Sequence, residues 1–219
     1  MAFSPTTYGF GVPRGQGRPI LLLPGHRAND LSMQPMWWAL NLKGERPYFS
    51  ELGSNVTCFE EQVSHCERRV DYIRSLRAHR DRKVNIIGWS QGGLLGGALK
   101  RLFPEKIGKL ITLGTPQQLT SAVHPLVAWS TNRAGEAVRR ETGRPKCWTA
   151  DCNCGFVETL KEGINPDRCI YSPFDGIADG EGTKHATDPT RNRRVTSSHI
   201  GMGFDPQVYR QAALALEGA

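Results

Sequence analysis

Val84-Asn85-Ile86-Ile87-Gly88-Trp89-Ser90-Gln91-Gly92-Gly93 is the stretch whose reading decides the fold. Val84, Ile86 and Ile87 have the length and β-branched content of a buried strand, and Leu94, Leu95, Ala98, Leu99 and Leu102 then fall at helical spacing. Ser90 therefore sits in the turn between a strand and a helix. A side chain forced into such a turn needs neighbours without Cβ, so that adjacent backbone can approach, and Gly88 and Gly92 supply them. The same turn sets Ser90 at a helix N-terminus, where unpaired backbone N–H groups stabilise a developing oxyanion. Taken alone, the stretch is also what a glycine-rich turn with an incidental serine looks like. The surrounding chain has to separate the two.

Upstream, Arg18-Pro19-Ile20-Leu21-Leu22-Leu23 reads as a second buried strand, stopped by Pro24-Gly25-His26-Arg27-Ala28-Asn29-Asp30. A strand ending in Pro-Gly and polar residues suits a loop at the carboxyl edge of a sheet, where open α/β sheets bind ligands. The backbone N–H of His26 is a candidate donor into that site, and its imidazole reads as a rim side chain. Ser32 is the expected N-cap of a helix from Met33 to Leu42, with Pro35 in its first turn. Met36, Trp37, Trp38 and Leu40 on it fit either core or the wall of an acyl pocket, with core preferred. Residues 44–57 read as turns. Phe59, Val63, Cys66, Val70, Ile73 and Leu76 then mark an amphipathic helix.

Downstream, Lys109-Leu110-Ile111-Thr112-Leu113 and Arg168-Cys169-Ile170-Tyr171-Ser172 are further strands, the second running into Pro173-Phe174-Asp175-Gly176. Residues 177–196 read as a long loop, Pro206 to Leu216 as a final helix, and 1–17 as an arm or edge strand. Strands alternating with helices predict an α/β fold with a doubly wound, mostly parallel sheet. The expected organisation is one domain over 1–219. Residues 117–168, which lose the alternation, are expected to form an inserted cap or lid. Val123, Leu126, Val127, Trp129 and Phe156 in it suit an apolar acyl group, or the cap's own small core.

Composition narrows the functions. The chain has 219 residues, 38% of them hydrophobic and 22% charged, with a formal net charge of +7. That rules against a disordered or fibrous protein. Its arginine clusters lack interleaved aromatics or a nucleic-acid module, so nucleic acid is not an expected partner. The basic face suits solvent, with weak attraction to anionic surfaces as an extra. No apolar run reaches the ~20 residues of a transmembrane span. Residues Met1 to Gly17 lack the pattern of a secretory signal. The expectation is a soluble chain, cytoplasmic unless a leader has been removed. Six cysteines, Cys58, Cys66, Cys147, Cys152, Cys154 and Cys169, permit disulfides or free thiols. Their spacing lacks the paired knuckles of a structural zinc site.

Three polar residues follow strand-like runs or end a loop, in the order Ser90, Asp175, His199. A serine hydroxyl is a poor nucleophile until a base takes its proton, and neutral imidazole does this near pH 7. A carboxylate then fixes the imidazole tautomer and stabilises the imidazolium formed on attack. Asp179 and Asp188 are alternative acids, with Asp175 favoured because it closes a strand directly. His124 and His185 are alternative bases, and only His199 falls just before the terminal helix.

With these residues the chain resembles the α/β-hydrolase family, and within it bacterial lipase- or esterase-like members. The matching segments are Leu22-Leu23-Pro24-Gly25-His26, Gly88-Trp89-Ser90-Gln91-Gly92, Ile170-Tyr171-Ser172-Pro173-Phe174-Asp175-Gly176-Ile177 and Ser198-His199-Ile200-Gly201; Leu110-Ile111-Thr112-Leu113-Gly114-Thr115-Pro116 is similar to the strand after the elbow in lipases. The loop departs from the family in lacking the frequent His-Gly pair, which leaves the second oxyanion donor open between the N–H groups of His26 and Arg27. The resemblance implies hydrolysis of a small-molecule or lipid carboxylic ester through an acyl-enzyme on Ser90. His199 would be the base, Asp175 its orienter, and the N–H groups of His26 and Gln91 the oxyanion hole, with no metal or organic cofactor. Acyl transfer, polyester or cell-envelope ester cleavage, and a non-catalytic binding protein on the same scaffold are the rivals.

Overall fold

The computed structural model of the chain describes residues 14–117 and 123–217. Most of the expected arm at 1–17 lies outside them. In order the elements are β1 (Pro19–Leu23), α1 (Gln34–Leu42), β2 (Arg46–Phe49), α2 (Phe59–Ser75), β3 (Val84–Trp89), α3 (Gln91–Leu102), β4 (Ile107–Leu113), α4 (Pro125–Thr142), α5 (Gly155–Glu162), β5 (Arg168–Tyr171), β6 (Asn192–Arg194) and α6 (Pro206–Glu217). The strands form one six-stranded sheet in the order β2-β1-β3-β4-β5-β6, and every pairing is parallel.

Successive residues of a strand face opposite sides, and helices cover both sides here, so the central strands carry apolar residues on both faces, and β1 is apolar throughout. Ile20, Leu22, Ile87, Ile111, Leu113 and Ile170 pack on one face with α1 and α6. Leu21, Leu23, Val84, Ile86 and Leu110 pack on the other with α2, α3 and α5. Met36 and Leu40 belong to the first core and Trp37 stacks on Phe49, while Trp38 is exposed, so α1 serves packing. Among the described residues no helix is long and apolar enough to cross a membrane.

Several local elements differ from those expected. Residues 44–57 contain strand β2 and residues 177–196 contain β6, both at the edges of the sheet. An edge strand leaves one backbone side unpaired, which tolerates Pro47 in β2 and an all-polar Asn-Arg-Arg in β6. Ser32 does not cap α1: a 3-10 turn over Asp30–Met33 precedes the helix, and Asn29 caps that turn by accepting from the Leu31 N–H. Residues 117–168 carry the long helix α4 and the short α5. Phe156, Val157 and Leu160 of α5 are buried against the second core, so the end of this segment is rooted in the main body.

Candidate active site

The strand order reverses between β1 and β3, since β1 leads outward to β2 while the chain from β3 proceeds to the opposite edge. Crevices at the carboxyl ends of strands beside such a reversal are where open sheets take ligands. The loop after β1 and the turn after β3 both lie there.

Ser90 has φ 53° and ψ −121°, a left-handed backbone uncommon for a residue with a side chain. Its N–H donates to the Leu113 carbonyl at the end of β4 at 2.9 Å, and α3 begins at the next residue. The turn is possible only because its neighbours are glycines. A Cβ on Gly88 would lie 2.5 Å from the Gly92 carbonyl oxygen, and one on Gly92 would collide with the Leu23 carbonyl oxygen.

Asp175 and His199 are 4% and 5% exposed, and His199 Nδ1 donates to Asp175 Oδ2 at 2.7 Å. A carboxylate here only accepts, which puts the hydrogen on Nδ1 and leaves the Nε2 lone pair free. Asp175 Oδ1 is occupied as well, accepting the N–H groups of Ile177 and Ala178 at 3.0 and 2.6 Å. The His199 N–H donates to the Asp175 carbonyl at 2.8 Å, and Trp89 Nε1 donates to the His199 carbonyl at 3.2 Å. His199 is thus tied through its ring and its N–H to the acid turn, and through its carbonyl to the residue before Ser90. Gly114, next to the Leu113 carbonyl that holds Ser90, has φ 52°; a Cβ there would come within 2.8 Å of Asp175 Oδ2 and 3.1 Å of His199 Nδ1. The three residues therefore converge on the end of β4. Among the described residues no hydrogen bond joins Ser90 Oγ to His199. Such contacts are often long without substrate and tighten in the complex.

The alternatives are engaged elsewhere. Asp179 accepts the Glu181 N–H within its own turn, and Asp188 caps Thr190 and pairs with Arg191. His124 caps α4 through Leu126, and His185 bonds Asn165.

Neither His26 nor Gln91 donates its backbone N–H to a protein acceptor among the described residues, and the same holds for Arg27. The loop that carries His26 is held by Asn55, a residue nothing in the sequence singled out. Its Nδ2 donates to the Pro24 carbonyl at 2.8 Å and reaches the Gly25 carbonyl at 3.4 Å. The Asn55 backbone carbonyl accepts from Gln91 Nε2 at 3.0 Å, which orients the Gln91 amide, and Gln91 Oε1 then accepts from His26 Nδ1 at 2.9 Å. His26 Nε2 is left as acceptor for the Ser130 hydroxyl of α4 at 3.2 Å. The imidazole expected at the rim is thus a half-buried link between the loop and α4, and burial lowers its pKa from the ordinary 6.5.

A cavity of about 230 Å³ opens beside Ser90, walled by His26, Phe59, Leu94, Trp148 and Leu160. Of the apolar residues singled out in the 117–168 segment, Val123, Val127 and Phe156 reach it, while Leu126 and Trp129 are exposed. Larger depressions beside Arg139 and beside Tyr171 hold no serine next to a base. Among the described residues no group of His, Cys, Asp and Glu side chains is arranged to hold a metal ion.

A family model described as alpha/beta hydrolase fold matches residues 22–146. Among solved structures, the chain is similar to Bacillus licheniformis lipase BlEst2, with a TM-score of 0.61 and 13% identity over 94% of each chain. Carboxylesterase CesB of Bacillus subtilis gives a TM-score of 0.57 and 14% identity, over 95% of this chain and 87% of that one. Aspergillus fumigatus lipase B gives 0.63 and 18%, over 95% of this chain and 54% of that one. A curated relative, the poly(3-hydroxyalkanoate) polymerase subunit PhaC of Allochromatium vinosum, is 37% identical over 68 residues, which are 31% of this chain and 19% of that protein's length.

Proposed function

The chain belongs to the alpha/beta hydrolase fold family, and from that premise we propose that it hydrolyses carboxylic esters through a serine acyl-enzyme. The observation that carries the reading is the buried pair of His199 and Asp175 at the end of the strand whose last carbonyl holds the Ser90 N–H. In this reading His199 Nε2 takes the proton of Ser90 Oγ as the hydroxyl attacks the ester carbonyl. The oxygen that becomes negative is received by the N–H groups of Gln91, at the start of α3, and His26. His199, now charged and stabilised by Asp175, protonates the leaving alcohol. Water deprotonated by His199 then releases the acid and restores Ser90. No step calls for a metal or organic cofactor.

Residues 117–168 act as the cap in this account, α4 and the turn after it covering the cavity while α5 roots them. The apolar walls suit an acyl or aryl group of modest size. The test is hydrolysis of p-nitrophenyl esters by wild type and Ser90→Ala. Loss of the rate in the variant supports the reading, and equal rates sink it. The partial likeness to a polymerase subunit favours one second reading, in which an alcohol replaces water as acyl acceptor. Product analysis with a competing alcohol separates the two.

A further inference from the structure

Cys58 and Cys147, 89 positions apart in sequence, bring their sulfurs to 2.9 Å. That is less than about 1 Å beyond the ~2.05 Å of a disulfide bond. Each is 2% exposed, and with Val138 and the flanking Trp148 they form a small core separate from the two that cover the sheet. The segments that carry them are docked along their length. Trp148 Nε1 donates to the Thr57 carbonyl at 2.8 Å, the Trp148 and Phe59 rings stack at 4.5 Å with 9° between planes, and Arg144 pairs with Glu60 at 2.9 Å. Contacts on both sides of Cys58 and of Cys147 hold the two thiols face to face.

We propose that Cys58 and Cys147 are a covalent-modification site: they close into a disulfide that fastens residues 144–148, and with them the Trp148 wall of the Ser90 cavity, to the start of α2. The oxidant is a small disulfide of the oxidised-glutathione class. One protein thiolate attacks it, forming a mixed disulfide and releasing one small thiol; the second protein thiolate displaces the other. Two protein S–H groups are lost, one S–S bond forms, and one small disulfide is reduced to two thiols. Burial pushes the Cys147 thiol up to about 12, so in the docked segment Cys147 is a protonated thiol and slow to attack. Exchange therefore occurs while the segment is undocked, as the chain folds, and the finished bond is shielded from small thiols. No sulfur of another cysteine forms a hydrogen bond with Cys58 or with Cys147 among the described residues. Cys152 and Cys154 contact each other, while Cys66 lies in the second core and Cys169 in β5.

The test is thiol mapping of the full chain, refolded in oxidised or in reduced glutathione, alkylated in denaturant and analysed by mass spectrometry. It is independent of whether the protein cleaves esters. The expected result is a linked peptide pair containing Cys58 and Cys147, with a Tm roughly 5–15 °C above that of the reduced chain, because the bond closes a long loop. Cys58→Ser, refolded alongside, should lack both the linked pair and the thermal difference. Cys58 and Cys147 both remaining alkylatable after the oxidising refold overturns the proposal, as does Cys147 linked to Cys152 or Cys154.

Discussion

Asn55→Ala tests how the oxyanion loop is held. Asn55 is fully buried and its φ is 52°, a region that asparagine tolerates and alanine enters at roughly 1 kcal/mol. Truncation strips the Pro24 carbonyl of its 2.8 Å donor and the Gly25 carbonyl of its weaker one. The Pro24 carbonyl is left unpaired, at about 1–3 kcal/mol, while the Gly25 carbonyl keeps the Ala28 N–H at 3.1 Å. Part of this is offset because Asn55 Oδ1 has no partner among the described residues, so its removal relieves an unsatisfied group. The net expectation is a loss of about 2–3 kcal/mol by urea denaturation. Asn55→Gly, which has no penalty at positive φ, should recover about 1 kcal/mol of it. If the loop also positions the His26 N–H for the oxyanion, both variants lose roughly 10- to 100-fold in kcat on a p-nitrophenyl ester with KM little changed, somewhat less than deleting a donor outright. Stability within about 0.5 kcal/mol of wild type together with an unchanged kcat would refute the reasoning.

Asp175→Asn, which keeps the shape but supplies an amide where His199 needs a pure acceptor, should lower kcat roughly 10³- to 10⁴-fold with the fold intact by circular dichroism. At about 30 Å³ per water, the cavity of about 230 Å³ has the room of about seven or eight waters, which suits a short acyl chain. Rates across p-nitrophenyl esters should therefore peak between butanoate and octanoate, and a maximum at palmitate would contradict the cavity's role. Burial lowers the His26 pKa below 6.5, so the folded chain keeps it neutral where the unfolded chain already protonates it. Its contribution to stability is present above pH 6.5 and is lost as pH falls through the lower folded value. His26→Gln should flatten the acid-side fall in urea-derived stability, and identical pH slopes would count against this.

The sequence discloses elements whose burial is dictated by apolar content, and conceals those held by scattered polar pairs. Ile20 to Leu23, Val84 to Ile87 and Leu110 to Leu113 could be read as central strands because both faces of the sheet are covered. Phe59 to Leu76 read as a helix because its apolar stripe has one period, and α2 runs from Phe59 to Ser75. β2 and β6 were hidden because edge strands need neither apolar runs nor a full set of N–H donors. α4 was hidden because the residues it buries, Ala134, Gly135 and Val138, are small and lie among polar and basic neighbours. The pairing of His199 with Asp175 was anticipated from chain order. The links from Asn55 to Pro24, from His26 to Gln91 and from His26 to Ser130 span 31, 65 and 104 positions, and no local pattern announces a contact of a polar side chain with a group so far along the chain.

The central claim is that Ser90 is the activated nucleophile, and covalent labelling tests it most directly. The full chain is treated with a fluorophosphonate and the adduct is located by peptide mass spectrometry, with Ser90→Ala and His199→Ala treated in parallel. The account predicts a single adduct on Ser90 in the wild type, none in Ser90→Ala and strongly slowed labelling in His199→Ala. A folded wild type that takes no label, or a label that persists undiminished in Ser90→Ala, would contradict it.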